Sequence, residues 1–299
     1  MIKYVVAHRK DPNNIGDIAA NPLQYFLPAD QYQTVDVAKL TSESYPLDVP
    51  LILGGGGLVG NNFIGNVVAD VLKSPDELQL EQLARSKWKL ANEQNENIHR
   101  RFKKEFNQLM DLVKANLKSP SAPRYIWGAG HNGEPGDDIV YPDEIRQYQL
   151  VGVRDYNVGL TWAPCASCMH PALSKKYAKR HKVIWFEHKK QLIKDRAFGT
   201  DPILRFVNSG NDMDQTIELL GSAETVLTNS YHGAYWATLL GCRVIVVGPW
   251  STKFANMRHA PVQIPVTQPW QEVLEQTRVY DHALDECRSA TEDFWNRIR

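Results

Sequence analysis

The chain has little that would staple it, anchor it or charge it. Four cysteines in 299 residues are too few for a disulfide framework and favour a reducing compartment. No run of 18 or more apolar residues occurs, so no integral membrane segment is predicted. The opening Met1–Ala7 run is too short for a secretory core, has no small-residue cleavage site, and reads instead as a first strand. The expected location is cytoplasmic. Excess charge of one sign is also missing: 34 Lys and Arg balance 34 Asp and Glu. A nucleic-acid partner, which normally demands a basic surplus, is therefore not expected. The basic stretches 100–104 and 175–180 read as solvated helix faces, and no repeat of fixed period is present.

What is present is an alternation of short β-branched runs with helical stretches, the pattern of an α/β protein with mostly parallel sheets. Strands are predicted at 4–8, 34–38, 50–53, 124–127 and 150–154, and a second series at 182–187, 203–207, 225–228 and 243–247. Each series suffices for its own sheet, and the length exceeds what one core usually serves. The expected organisation is an N-terminal Rossmann-like domain over 1–177, a C-terminal one over 178–280, and a helix over 281–299 that packs back on the body. A long amphipathic helix is predicted over 96–117, where Ile98, Phe102, Phe106, Leu109, Leu112 and Val113 recur at helical spacing. Ser119–Pro123 then turns the chain.

Candidate chemistry sits where strands end. Gly54–Gly57 follows the strand 50–53, and Gly55, Gly57 and Gly60 formally satisfy G-x-G-x-x-G, which brings bare amides within reach of an anion. Two further turns are Asn14-Ile15-Gly16-Asp17 and the stretch from Gly128 to Gly133, which contains His131 and Asn132. In open α/β sheets ligands bind beyond the carboxyl ends of the strands, so these turns point to one rim. Arg154 ends another strand, and its planar fork suits a carboxylate or phosphate. The segment Asn229-Ser230-Tyr231-His232-Gly233 supplies an N-cap and puts His232 in the first turn of a helix, where the dipole favours a bound anion and disfavours imidazolium. Lys253 lies in a loop after the strand 243–247 and could reach the same rim. Cys165-Ala166-Ser167-Cys168 is one C-x-x-C without a second pair; it reads as a packed loop, and no metal is expected.

In order and spacing, the Asn14–Asp17 turn, the Leu53–Leu58 glycine segment, Gly152-Val153-Arg154-Asp155, Asn229–Gly233 and Lys253 resemble the polysaccharide pyruvyl transferase family. The resemblance implies a GT-B-like pair of Rossmann-like halves with a cleft between them. It implies transfer of pyruvate from phosphoenolpyruvate to two hydroxyls of a sugar or glycan as a ketal, with release of phosphate and no further cofactor. By position, His232 becomes the general acid and Arg154 the donor clamp. Asn229, Ser230, Tyr231 and Lys253 join the donor side, and Asn14, Gly16, Asp17, Gly55, Gly56, Gly57, His131 and Asn132 the acceptor side. The chain departs from the family at Ser230, where some members carry arginine, and at His170-Pro171, where Asp-Pro is frequent. Alternatives from the same residues are a GT-B glycosyltransferase using a nucleotide-sugar, or a non-catalytic sugar- or nucleotide-binding protein. A homo-oligomer is compatible with the sequence.

Overall fold

The computed structural model describes residues 1–37, 48–59, 122–193 and 203–299. The helix predicted over 96–117, the basic stretch 100–104 and Gly60 lie outside the described residues. Two sheets organise the rest. The first has six strands in the order β2-β1-β3-β4-β5-β6: β1 (Tyr4–His8), β2 (Tyr32–Asp36), β3 (Leu51–Val59), β4 (Arg124–His131), β5 (Leu150–Val153) and β6 (Thr161–Trp162). The second has five: β7 (His181–His188), β8 (Leu204–Asn208), β9 (Ala223–Thr228), β10 (Arg243–Val247) and β11 (Val262–Ile264), ordered β11-β10-β9-β7-β8.

Every strand pair is parallel. This is what runs such as Tyr4-Val5-Val6-Ala7-His8 and Arg243-Val244-Ile245-Val246-Val247 require, because a sheet covered on both faces buries successive side chains rather than alternate ones. The protein is an α/β structure of two Rossmann-like halves. Read from β8, the second sheet repeats the order of the first five strands of the first. In both, the chain reverses direction across the sheet at one place: between β1 and β3, and between β7 and β9. Such switch points open a crevice at the carboxyl ends of the strands.

Two strands run further than the sequence predicts. The glycine segment 54–57 is not a strand-to-helix turn but part of β3, and Gly128 and Gly130 belong to β4. Gly54 pairs with Trp127, Gly56 with Ala129 and Gly57 with Gly130. Without side chains to separate them, the two backbones keep their ladder while the positive φ of Gly55 (62°), Gly56 (89°) and Gly128 (73°) bends it.

Four helices matter for the site: α1 (Ile15–Ala19), α2 (Met213–Gly221), α3 (Tyr231–Leu239) and α4 (Ala283–Ile298). Helix α3 is mostly apolar and aromatic, with His232 and Thr238 as exceptions, and is buried along its whole length, as expected of a helix enclosed on all faces. Although last in the chain, α4 returns to the first half. Phe294 and Trp295 pack on Trp127 at ring separations of 5.5 and 5.8 Å, and Phe26 lies 5.5 Å from Trp295. Gly152 leaves the space for the Phe294 ring, which a Cβ would enter. Phe294→Ala is expected to cost about 3–5 kcal/mol, read as a lowered urea midpoint at unchanged slope.

Candidate functional site

The two switch points face each other across a cavity of about 230 Å³. From the first half it is lined by Arg9, Asp11, Asn14 and Asp17 beyond β1, by Gly56–Leu58 of β3, and by Asn132 and Arg154 at the ends of β4 and β5. The second half contributes His188–Lys190 after β7, Asn208 after β8, Ser230–His232 after β9, and Trp250 and Lys253 after β10.

Local chemistry fixes each group. Asn14 caps α1 by accepting from the Gly16 N–H at 3.2 Å, which presents Asp17 to the cavity. The Ser230 side chain caps α3 by accepting from the Gly233 N–H at 3.4 Å. His232 follows in the first turn, its Nε2 3.6 Å from the Cys165 sulfur and its ring over Gly16, where a Cβ would collide with Nδ1. Gly130 similarly makes room for the Arg154 guanidinium, which lies 4.1 Å over the Tyr231 ring. Lys253 Nζ lies 3.4 Å over the Trp250 ring, a favourable placement for a cation.

Arg154 and Lys253 are buried, yet neither forms an ion pair among the described residues. Asp155, beside Arg154, is already engaged: it accepts from the His131 N–H at 2.7 Å and from the Tyr141 hydroxyl at 2.6 Å. Of the other cations at the rim, Arg9 pairs with Asp36 at 2.7 Å and Lys189 with Asp11 at 2.8 Å. Two buried basic side chains thus face the cavity with no ion-pair partner among the described residues.

Their field acts on the titrating groups. Burial, followed by the charges of Arg154, Lys253 and His188, lowers the His232 pKa to about 3. Burial and then Lys253 lower that of His188 to about 4. Burial, then Arg154, also pulls Lys253 well below its ordinary value, against the attraction of Asp17. In the opposite direction, burial and then Asp11 raise Asp17 to about 7, outweighing the nearby cations. Burial in this cavity therefore favours neutral imidazoles and weakens the charged forms of Asp17 and Lys253.

Of the residues singled out in the sequence, Asn14, Asp17, Gly56, Gly57, Asn132, Arg154, Ser230, Tyr231, His232 and Lys253 line this cavity. Four do not. Gly16 lies behind His232, and a Cβ on Gly55 would strike the Ala20 backbone. His131 points across to the other half, with Nδ1 2.8 Å from Thr252 Oγ1. Asn229 is used internally, its Oδ1 accepting from the His188 N–H at 2.7 Å and its Nδ2 donating to the Gln191 carbonyl at 2.5 Å; it shapes the loop after β7 rather than meeting a ligand. The C-x-x-C cysteines are free and buried, and no metal-binding group of His, Cys, Asp and Glu occurs among the described residues. No helix among the described residues is long and apolar enough to cross a membrane.

Sequence reasoning missed Arg9, Asp11, His188, Lys189, Lys190, Asn208 and Trp250. All stand at or just beyond the carboxyl end of a strand, and the basic run His188-Lys189-Lys190 after β7 was the readable signal.

No family model matches the chain, and no curated protein matches it. Among solved structures, a functionally uncharacterized protein of Klebsiella pneumoniae aligns with 15% identity and a TM-score of 0.38, covering 82% of this chain and 83% of that one. A likeness of that depth says nothing about activity.

The raised Asp17 pKa has a consequence for stability. Protonated Asp17 favours the folded state fully below its ordinary pKa of 3.8, and that contribution is lost as pH rises through about 7. Asp17→Asn should therefore melt like the parent near pH 4 and increasingly above it between pH 5 and 8. The lowered histidines act in the other window, their contribution being present above 6.5 and lost as pH falls toward 3–4. Parallel melts across this range check both slopes.

Proposed function

We propose that this protein is a pyruvyl transferase that moves the three-carbon unit of phosphoenolpyruvate onto two hydroxyls of a sugar. The observation that carries the reading is the pair of buried basic side chains, Arg154 and Lys253, without ion-pair partners among the described residues, beside His232 in one cavity. Such a pair asks for a ligand with more than one negative charge. The volume of about 230 Å³ falls below the roughly 300–1,000 Å³ of cavities that hold drug-sized ligands. That favours a small donor over a nucleotide-sugar, and pyruvyl transfer over the glycosyltransferase alternative.

In the proposed reaction the methylene carbon of phosphoenolpyruvate takes a proton and becomes a methyl group. One sugar hydroxyl adds to the adjacent carbon, the C–O bond to phosphate breaks, and the second hydroxyl closes the ketal. Of the two hydroxyl protons released, one replaces the proton given to carbon and the other leaves with phosphate. Arg154 grips the carboxylate, and Lys253 with the start of α3 meets the phosphoryl group. His232, neutral in the empty cavity, gains a proton when the anion offsets the surrounding cations, and is then the acid. Asp17 sits on the first-half wall, where its carboxyl group can hydrogen-bond a sugar hydroxyl.

His232→Gln should lower phosphate release at least a hundredfold while phosphoenolpyruvate binding stays within a few-fold by calorimetry. Calorimetry in buffers of different ionisation enthalpy should also show proton uptake on binding that shrinks in this variant. Near-normal turnover of His232→Gln removes the residue from the acid role. Release of nucleotide from a nucleotide-sugar, without phosphate from phosphoenolpyruvate, replaces the donor.

A further inference from the structure

A series of buried contacts runs from α3 through the C-x-x-C segment and back to His232. Trp236 Nε1 donates to Ser167 Oγ at 3.0 Å. Ser167 Oγ lies 3.2 Å from Cys165 Sγ, which in turn lies 3.6 Å from His232 Nε2. Ser167 and Cys165 are buried, at 0% and 1% exposure, so each proton along this series needs an acceptor within it.

That requirement gives the series one direction. An indole N–H can only donate, so Ser167 Oγ accepts from Trp236 and has its own proton to give. The other side-chain partner of that hydroxyl among the described residues is the Cys165 sulfur. Ser167 therefore donates to Cys165. Burial pushes the Cys165 pKa up, so the thiol keeps its proton, and His232 Nε2 is the acceptor left for it. The reverse order, Nε2 donating to sulfur and sulfur to Ser167, strands the serine proton. With Nε2 accepting, the neutral imidazole carries its proton on Nδ1.

His232 lines the cavity. Its Nδ1 lies over Gly16, where a Cβ would meet it first, and Asn14 and Asp17 on either side of Gly16 in the chain are cavity walls. The sealed polar atoms without a partner among the described residues do not include this nitrogen, although the one hydrogen bond of the ring is at Nε2. We propose that Cys165 is a positioning residue for His232, its thiol fixing the Nδ1–H tautomer so that Nδ1 is the nitrogen that meets the ligand. The inference rests on the reading of His232 as the acid, and it adds the atom through which that acid works and the side chain that selects it.

Nitrogen-15 NMR of the histidine-labelled protein tests the tautomer without any ligand, the His232 signals being those lost in His232→Gln. Near pH 7 the parent should show Nδ1 in the range of a protonated ring nitrogen and Nε2 in that of an unprotonated one. In Cys165→Ala, Nε2 should move toward the protonated range and phosphate release should fall at least tenfold, with phosphoenolpyruvate affinity within a few-fold of the parent. Cys165→Ser, which keeps a proton to donate, should lie nearer the parent in both respects, and matched melting curves identify variants fit for comparison. A protonated Nε2 in the parent, or unchanged ring signals in folded Cys165→Ala, overturns the role of Cys165 and leaves the acid reading standing. A parent with the expected ring signals that neither binds phosphoenolpyruvate nor releases phosphate from it overturns the acid reading and leaves the tautomer in place.

Discussion

The site depends on one buried helix. Helix α3 leaves β9 in the second half, yet its side chains anchor the strand of chain that joins the two halves. The Tyr235 hydroxyl donates to the Cys165 carbonyl at 3.0 Å, Trp236 Nε1 donates to Ser167 Oγ at 3.0 Å, and His232 meets the Cys165 sulfur. On its other side, Gly233 lies so close to the Phe186 ring and Thr228 that a Cβ would not fit. Close packing of this kind does not deform continuously. The imidazole of His232 is therefore placed by the same contacts that set the spacing of the two sheets. Fold and site are one constraint here, and the C-x-x-C segment contributes to it as packing rather than as redox or metal chemistry.

A second set of contacts decides where charge is left over. The protein as a whole is neutral, so an unpaired buried cation is a matter of placement, not of composition. Asp155 is the nearest neighbour of Arg154 in sequence, but the His131 N–H and the Tyr141 hydroxyl hold its carboxylate. On the far side of the same segment, Thr252 binds the His131 ring and the Gly133 N–H, each at 2.8 Å, and the Ser251 hydroxyl donates to Asn132 at 2.7 Å. These bonds tie β4 to the loop that carries Lys253. His131 thus serves the site at one remove: it helps keep Asp155 away from Arg154 and holds the lysine loop against the first half.

Much of the fold was legible because parallel sheets buried on both faces leave continuous apolar runs, and these mark their strands directly. The two-residue β6 and three-residue β11 were not legible, since neither is long enough to show a period. The glycine segments misled in an instructive way. Gly54–Gly57 and Gly128–Gly130 read locally as turns, because flexible residues at a strand end usually turn the chain. Whether they turn or continue depends on a partner strand, and each segment finds the other, a non-local fact. The same distinction separates the site residues. Arg154, His232 and Lys253 were visible from strand-end logic and residue chemistry. The orientation of His131 and Asn229 depended on partners more than 35 residues away in the chain.

The electrostatics of the empty cavity also set the charge that its walls carry. A permanently protonated histidine beside Arg154 and Lys253 would repel both cations and weaken the packing that places it, and burial prevents this by holding the ring neutral. Asp17, for the same reason of burial, does not stay fully ionised to neutralise the cations from within. Both departures keep the positive field of Arg154 and Lys253 available, so the strongest compensation on offer is an anion from outside. Once it enters, each negative charge makes protonation of His232 easier and ionisation of Asp17 harder. Anion occupancy and the protonation of His232 and Asp17 are thus coupled through one cavity.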